Sequence, residues 1–281
     1  MEPSAHAFER NARKALDDKT LQAALGRTTG RFLDHRAAAV GAFPEFEATR
    51  ERASGIKMET LANLDLHLGR FIGEAERAGA VVHVARDAAQ AREIGARIAR
   101  EEGITLAVKS KSMASAEVSF NAALQEAGVE VVESDLGEYI IQLAGEPPSH
   151  IIAPAVHKTR EEVSRLFEQK LGEPPTDSIP ALVGMARKHL RAKFLSAGMG
   201  VSGANFLVAD TGSVVLVTNE GNGRMGTVLP RVHLVVAGIE KVIPRAQDLA
   251  VFLRLLARSA TGQKITRYTQ YSSGPPQSPP V

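Results

Sequence analysis

Cysteine is absent from all 281 residues. That gap excludes disulfide bonds, a thiol nucleophile, cysteine-ligated zinc and thiolate-held iron–sulfur clusters on this chain. Long apolar runs are missing too: stretches such as GSVVLV and HLVVAGI fall well short of the roughly 18 residues a membrane helix needs. The opening MEPSAHAFERNARKAL lacks the uncharged apolar core of a secretory signal, so a soluble, cytoplasmic protein with no membrane span is expected. Neither sign of charge dominates. The 34 basic and 32 acidic side chains leave a formal +2, too little to argue for a nucleic-acid surface. The eight histidines form no HxxxH pair and join no carboxylate cluster at ligand spacing, so no metal site is expected. What is present, 44% hydrophobic and 23% charged residues, is the balance of a globular chain with one large or two small domains.

Residues 5–77 hold no convincing strand pattern. Apolar residues recur there at helical spacing, as in Leu61, Leu64, Leu68, Phe71 and Ile72, which predicts a helical N-terminal arm over residues 1–78. Gly41, Pro44 and Gly55 divide it into two or three helices, and its basic side chains, interleaved with acids, read as a solvated face. From Ala80 the pattern changes to short β-branched runs separated by amphipathic stretches. The runs are VVHVA (81–85), ITLAVK (104–109), VEVVES (129–134) and HIIAPAVH (150–157). Asp87 with Gln90, and Thr159 with Glu162, form capping boxes, and a helix over 113–127 stops at Gly128. This alternation predicts an α/β domain over residues 79–271, with a mostly parallel central sheet and helices on both faces.

After Pro180 a helix over about 181–196 leads to FLVADTGSVVLVT (206–218), an antiparallel hairpin in outline. Strands over 232–238 and 241–244 follow, then an amphipathic helix over 247–260 whose Leu249, Phe252, Leu253 and Leu256 read as core. Residues 272–281 are expected to form a disordered Pro-rich tail.

Four segments carry candidate chemistry. Lys109-Ser110-Lys111-Ser112 stands where a parallel strand gives way to a helix, the position at which open α/β sheets bind ligands; the two lysines and two hydroxyls suit a carboxylate or phosphate. The competing reading is that Ser112 caps the helix and both lysines are solvated. His157 with Lys158 ends the next run and reaches the same rim if the second and fourth strands lie close, offering a proton carrier near neutral pH. His150, at the start of that run, reads as structural. Asp210-Thr211-Gly212 spells an aspartic-protease signature, but a single copy lacks the second aspartate and the βαβ pattern contradicts that all-β fold, leaving a hairpin turn. The polar run Thr218-Asn219-Glu220-Gly221-Asn222-Gly223-Arg224 follows a strand. Its glycines allow close approach of a ligand and its side chains supply donors, acceptors and charge. Gly198 to Asn205 is a candidate neighbouring wall.

KSKSM, DLGEYIIQLAGEPPSHIIAPAVHKTREEV, GANFLVADTGSVVLVTNEGNGRM, LPRVH and FLRLLARSATGQK, in this order, resemble the LUD domain of the lactate utilisation protein B family over roughly residues 10–271. The resemblance implies a fold similar to the sugar isomerase and CoA-transferase α/β superfamily. It implies a role in a three-component system that oxidises L-lactate to pyruvate, with an iron–sulfur protein and a second LUD protein as partners. It also implies that the KSKS, HK and NEGNGR segments line a pocket. The family continues into a region of two CxxCxxCxxxCP-type runs that hold 4Fe–4S clusters. This chain stops at Val281 without a cysteine, so no cofactor is expected in it, electron transfer is expected to need another polypeptide, and the ending reads as a degenerate one.

Chemistry then suggests that Lys109, Lys111 and Arg224 hold a small carboxylate while His157 or Glu220 exchanges the hydroxyl proton. Two alternatives stand beside this. One is acyl transfer of the CoA-transferase kind, with Glu220 as nucleophile; the other is a non-catalytic scaffold that docks its partners.

Overall fold

The computed structural model describes residues 7–146, 148–149 and 153–275. The chain divides into two compact units. The first comprises Met1–Thr29, Ala85–Ser202 and Asn222–Val235, and the second Gly30–Val84, Gly203–Gly221 and Val236–Val281. The N-terminal helices are therefore shared between the two. They are α1 (Phe8–Asp17), α2 (Lys19–Gly41), α3 (Phe46–Ala62) and α4 (Leu64–Arg77). Gly41 and Pro44 do punctuate the arm, but α3 runs through Gly55, and the further breaks fall at Asp18 and Asn63.

In the first unit, α5 (Ala88–Glu101) leads to β1 (Leu106–Lys109), α6 (Met113–Glu117), α7 (Phe120–Glu126) and β2 (Glu130–Glu133). Then come α8 (Leu136–Ala144), α9 (Arg160–Leu171), α10 (Ile179–Ser196) and β3 (Met199–Ser202). Local chemistry sets these limits. Asp87, Ser112, Asp135, Thr159 and Ser178 each accept a backbone N–H in the first turn of their helix. Thr159 and Glu162 make the full reciprocal box. Gln90 instead reaches one residue further back, accepting from the backbone of Arg86 at 2.8 Å.

The expected helix over 113–127 is two helices, because the chain turns through the left-handed region at Ser119 (φ 54°). Of the expected strand over 150–157, the described residues from Ala153 on are not in a strand. His150 lies outside the described residues, and Ala153 to Lys158 form successive turns closed by Val156 N–H to Ala153 O (3.1 Å) and Lys158 N–H to Ala155 O (3.0 Å). Pro154 removes a donor from what would have been its ladder.

The sheet of this unit has the order β2-β1-β3-β6, with β6 at Val232–Val235 reached through α11 (Asn222–Val228), and every neighbouring pair is parallel. β1 is buried along its whole length, as is β3, and helices flank the sheet. Val108 and Val132 pack with Phe167, Leu190 and Phe194 in one apolar cluster. The unexpected member is β3, which falls within the Gly198-to-Asn205 stretch expected only as a neighbouring wall. Gly200 is required there: a Cβ would lie 1.6 Å from the carbonyl oxygen of Gly226 in α11, so only glycine lets that helix pack against the strand.

The second unit is built on a mixed sheet of order β7-β4-β5-β8: β4 (Phe206–Val208), β5 (Ser213–Thr218), β7 (Val242–Ile243) and β8 (Tyr268–Ser272). The β4–β5 hairpin is antiparallel, as expected, and Gly212 in its connection has φ +62°. β8 uses Ser272, the first residue of the expected tail; residues 276–281 lie outside the described residues. α12 (Leu249–Thr261) contributes Leu249, Phe252 and Leu253 to the core under this sheet. The expected strand over 81–85 is unpaired. Ala80 and Val82 pack against Phe71 and Leu207 while Val81, His83 and Val84 all face solvent, so the alternation stops after Val82 and no neighbouring strand takes the run up. Among the described residues no helix is long and apolar enough to cross a membrane.

Candidate functional site

In the parallel sheet the chain leaves β1 for β2 on one side and later enters β3 on the other. The carboxyl ends of β1 and β3 therefore flank a topological switch point, where this architecture places ligands. The Lys109-to-Ser112 segment stands there. The parallel register pairs Lys109 with Glu133, bringing the last residues of β1 and β2 side by side. Lys109 Nζ donates to Glu133 Oε1 at 2.9 Å and Oε2 at 3.1 Å, with the lysine 4% exposed. Asn121 Nδ2 donates to the same carboxylate at 2.8 Å. Glu133 is further fixed by Gln142, whose side-chain amide accepts from Glu133 N–H (2.9 Å) and donates to Val131 O (2.7 Å), closing the outer edge of β2. Lys109 thus has a buried partner and is not a solvated cation.

Ser112 caps α6 through a 3.2 Å bond from Ser115 N–H, as its simpler reading had it. Ser110 differs. It is 9% exposed, and its Oγ has no hydrogen-bond partner among the described residues, although its backbone N–H is bound to Val201 O (2.8 Å). Lys111 Nζ stands 3.8 Å from Glu138 Oε1 on α8. Oε2 of Glu138 is buried with no hydrogen-bond partner among the described residues, and burial, with Asp135 and Glu133 adding negative charge, pushes the carboxyl up to about 7 against the pull of Lys111 and Lys109. Asn121 Oδ1 is a third buried polar atom without a partner. All three belong to the segments that follow or support the ends of β1 and β2.

α11 forms another wall. Asn222 Nδ2 donates to Ser134 O (3.1 Å), and Ser134 in turn bonds Lys109 O through both its N–H and its hydroxyl, each at 2.9 Å. A Cβ on Gly226 would sit 3.4 Å from Ser110 Oγ. Gly223 is buried and Arg224 is exposed on the same helix. On the far side of the switch point Ser202 Oγ meets His233 Nε2 at 2.8 Å, and burial pulls that imidazole down to about 4, so it is neutral near pH 7.

The other expected groups make contacts of their own. His157 is held between Ser149 Oγ at Nδ1 (2.5 Å) and Glu146 Oε2 at Nε2 (2.9 Å), and Lys158 Nζ donates to Glu146 Oε1 (2.5 Å). Those bonds hold Glu146 below the usual carboxylate range. Asn205, Thr218, Asn219, Glu220 and Gly221 belong to the second unit. There Asn205 Oδ1 accepts from Val217 N–H (2.8 Å), Thr218 Oγ1 donates to Glu220 O (2.8 Å), and Asn219 Oδ1 accepts from Arg267 N–H (3.4 Å). The Glu220 side chain is exposed. Asp210 accepts from Ala246 N–H at 3.0 Å, a turn-stabilising role. A cavity of about 570 Å³ runs along the outer side of β2, between Tyr139, Leu143, Leu171 and Lys193, and none of the sequence-predicted site residues line it.

Sequence reasoning missed Glu133, Glu138 and Asn121. Glu133 had a usable signal, an acid ending the strand next to the one that Lys109 ends; Glu138 lay inside an amphipathic helix with nothing to mark its burial. An iron–sulfur cluster does not fit this chain. It offers no thiolate, and among the described residues no three His, Asp or Glu side chains gather as metal ligands.

Comparison with known proteins bears on this architecture. The chain is 40% identical over 269 residues to Lactate utilization protein B of Bacillus pumilus, covering 95% of this chain and 57% of the relative. It is 38% identical over 268 residues to Lactate utilization protein B of Oceanobacillus iheyensis, and equally to the Uncharacterized electron transport protein YkgF of Escherichia coli; each alignment covers 95% of this chain and 56% of the relative. The chain thus spans a little over half the length of the curated relatives it matches. No solved structure matches it. The model of the LUD domain matches residues 68–279, which take in both sheets and the whole β1 rim, and on that match the chain belongs to the LUD domain family.

Proposed function

We propose that this chain is the LUD-domain part of a lactate-utilisation system, and that the carboxyl ends of β1 and β2, with α11 beside them, bind a small hydroxy or keto acid. The observation that carries the reading is the pair Ser110–Lys111: a buried hydroxyl without a partner beside a cationic side chain, at the switch point of a parallel sheet. Names borne by the relatives, Lactate utilization protein B and an electron transport protein, support the choice of acid and of system. In this reading Lys109 stiffens the rim through Glu133 and does not touch the ligand. Lys111 meets the carboxylate and Ser110 Oγ donates to it.

Converting L-lactate to pyruvate removes two electrons and two protons. The electrons leave for iron–sulfur centres on partner subunits or on regions outside this chain, since its own residues do not fit a cluster. Docking to such a partner and to a second LUD protein, in the cytoplasm, belongs to the same proposal. Glu220 as an acyl nucleophile gains no support from its exposed setting.

Calorimetric titration of L-lactate and pyruvate into the wild type and Lys111→Ala tests the reading. Loss of one charge-assisted contact is expected to weaken binding by about 10- to 100-fold. Equal affinity in the variant removes Lys111 from the site.

A further inference from the structure

We propose that a small monocarboxylate enters the β1 rim together with a proton carried by Glu138, so that binding draws a proton from solvent. The inference rests on the reading of this rim as the carboxylate site and adds the group that makes its occupancy depend on pH.

The geometry comes first. Glu138 Oε1 faces Lys111 Nζ at 3.8 Å, too far for a hydrogen bond, and Oε2 is buried with no partner among the described residues. An ionised carboxylate so placed leaves lone pairs without donors, a costly state in a buried site. A protonated carboxyl needs only one acceptor for its O–H, and a bound anion supplies one. Ser110 Oγ, also buried and without a partner, can donate to the same anion. Protonation also removes the negative charge that faces Lys111, so the lysine's field acts on the ligand instead.

The charged groups around Glu138 are Lys111 in the β1–α6 connection, Asp135 at the cap of α8, Glu133 at the end of β2 and Lys109 at the end of β1. Lys109 and Glu133 neutralise each other at 2.9 Å. The remaining balance sets Lys111 against Asp135 and leaves burial as the main force, which already holds the carboxyl near 7. A ligand carboxylate within reach of Lys111 adds a like charge and raises it further. The free protein above pH 7 is therefore largely ionised at Glu138, while the complex is protonated.

The test is calorimetry of L-lactate with the full chain at pH 8 in buffers of different ionisation enthalpy, repeated between pH 6 and 9. The expected result is uptake of most of one proton at pH 8, with affinity falling by up to about tenfold per pH unit above 7. Glu138→Gln, which stays neutral, is expected to bind without proton uptake and with affinity flat across the range. Binding by the wild type without proton uptake overturns the inference and leaves the carboxylate site standing. Uptake that persists in Glu138→Gln also overturns it. Absence of lactate binding at every pH overturns both. The wild-type measurement decides the matter even if the variant does not fold.

Discussion

Lys109-Ser110-Lys111-Ser112 and Thr218-Asn219-Glu220-Gly221 are both polar runs leaving a β-strand, one paired in parallel on both sides and one paired antiparallel on both sides. At the first, the backbone is covered on both faces, and the side chains are buried against each other: an ion pair 2.9 Å long, a carboxyl raised to about 7, a hydroxyl with no partner. At the second, Thr218 and Asn219 bond local or neighbouring backbone, and Glu220 and Gly221 face solvent. Composition alone ranks the run from Thr218 to Arg224 as the richer site, though its Asn222, Gly223 and Arg224 belong to α11. Burial reverses the order, because a polar group taken out of water keeps strong fields and unmet bonds, whereas one left in water does not.

The sharpest way to break this contrast is to remove one member of the buried pair. Glu133→Ala strands the Lys109 ammonium in a 4% exposed position and also takes the acceptor from Asn121. A loss of about 3–5 kcal/mol is expected in chemical denaturation, and the double change Lys109→Met with Glu133→Leu should recover most of it. A loss under about 1 kcal/mol in the single variant would mean the pair is solvated after all.

Glycines carry the same contrast one step down in size. Gly200→Ala drives a methyl to 1.6 Å from the Gly226 carbonyl, a backbone atom that moves only if α11 moves. We expect about 1–3 kcal/mol of destabilisation and weakened lactate binding, because α11 is the wall beside Ser110. Gly221→Ala meets nothing within 4 Å and is expected to be neutral in both measurements.

Those glycines also show how far the sequence could be read. Apolar runs made β1 and β2 legible, and Asp87, Ser112 and Thr159 marked the starts of their helices, because each acts within four residues of itself. β3 was not legible, since MGVS becomes a strand by pairing with β1 and β6 and carries its glycine because α11 comes close, all contacts between segments far apart in the chain. VVHVA failed in the opposite way: its composition is that of a strand, but only Val82 turns inward and no strand partners it. Of the site, Lys109 to Ser112 could be placed from the strand-to-helix pattern, but the partners Glu133 and Glu138 depend on register and burial, which single-chain periodicity does not encode.

A third, smaller effect concerns pH. The Glu138 carboxyl, ordinarily at 4.5, stands near 7 in the folded protein, so the native state holds a proton that the unfolded chain releases. Stability contributed by that proton is complete below about 4.5 and is lost as pH rises to 7 and beyond. With partial exposure discounted, the loss is on the order of 1–2 kcal/mol, and Glu138→Gln should flatten that part of the stability profile in denaturation series at pH 5 and 8. A variant profile parallel to the wild type would place the proton elsewhere.

The smallest expected effect is the one that tests the exposed run directly. Glu220 faces water, and its backbone carbonyl, not its carboxylate, accepts the Thr218 hydroxyl. Replacing the carboxylate by an amide in Glu220→Gln therefore removes no buried charge and no described hydrogen bond, and stability should stay within about 0.5 kcal/mol of the wild type. Lactate affinity and its pH dependence should also stay unchanged, since the proton in question belongs to Glu138. The acyl-transfer alternative makes the opposite demand. It needs Glu220 to attack an acyl-CoA thioester, giving a mixed anhydride and the CoA thiolate. The thiolate then attacks the glutamyl carbonyl to form a glutamyl thioester and release the free acid; hydroxylamine or borohydride traps that thioester in the wild type and not in Glu220→Gln. Trapped adduct at Glu220 would move the chemistry to the solvent-exposed run and overturn the ranking of the two regions; its absence, with unchanged lactate binding, leaves the buried rim as the place where an acid is recognised.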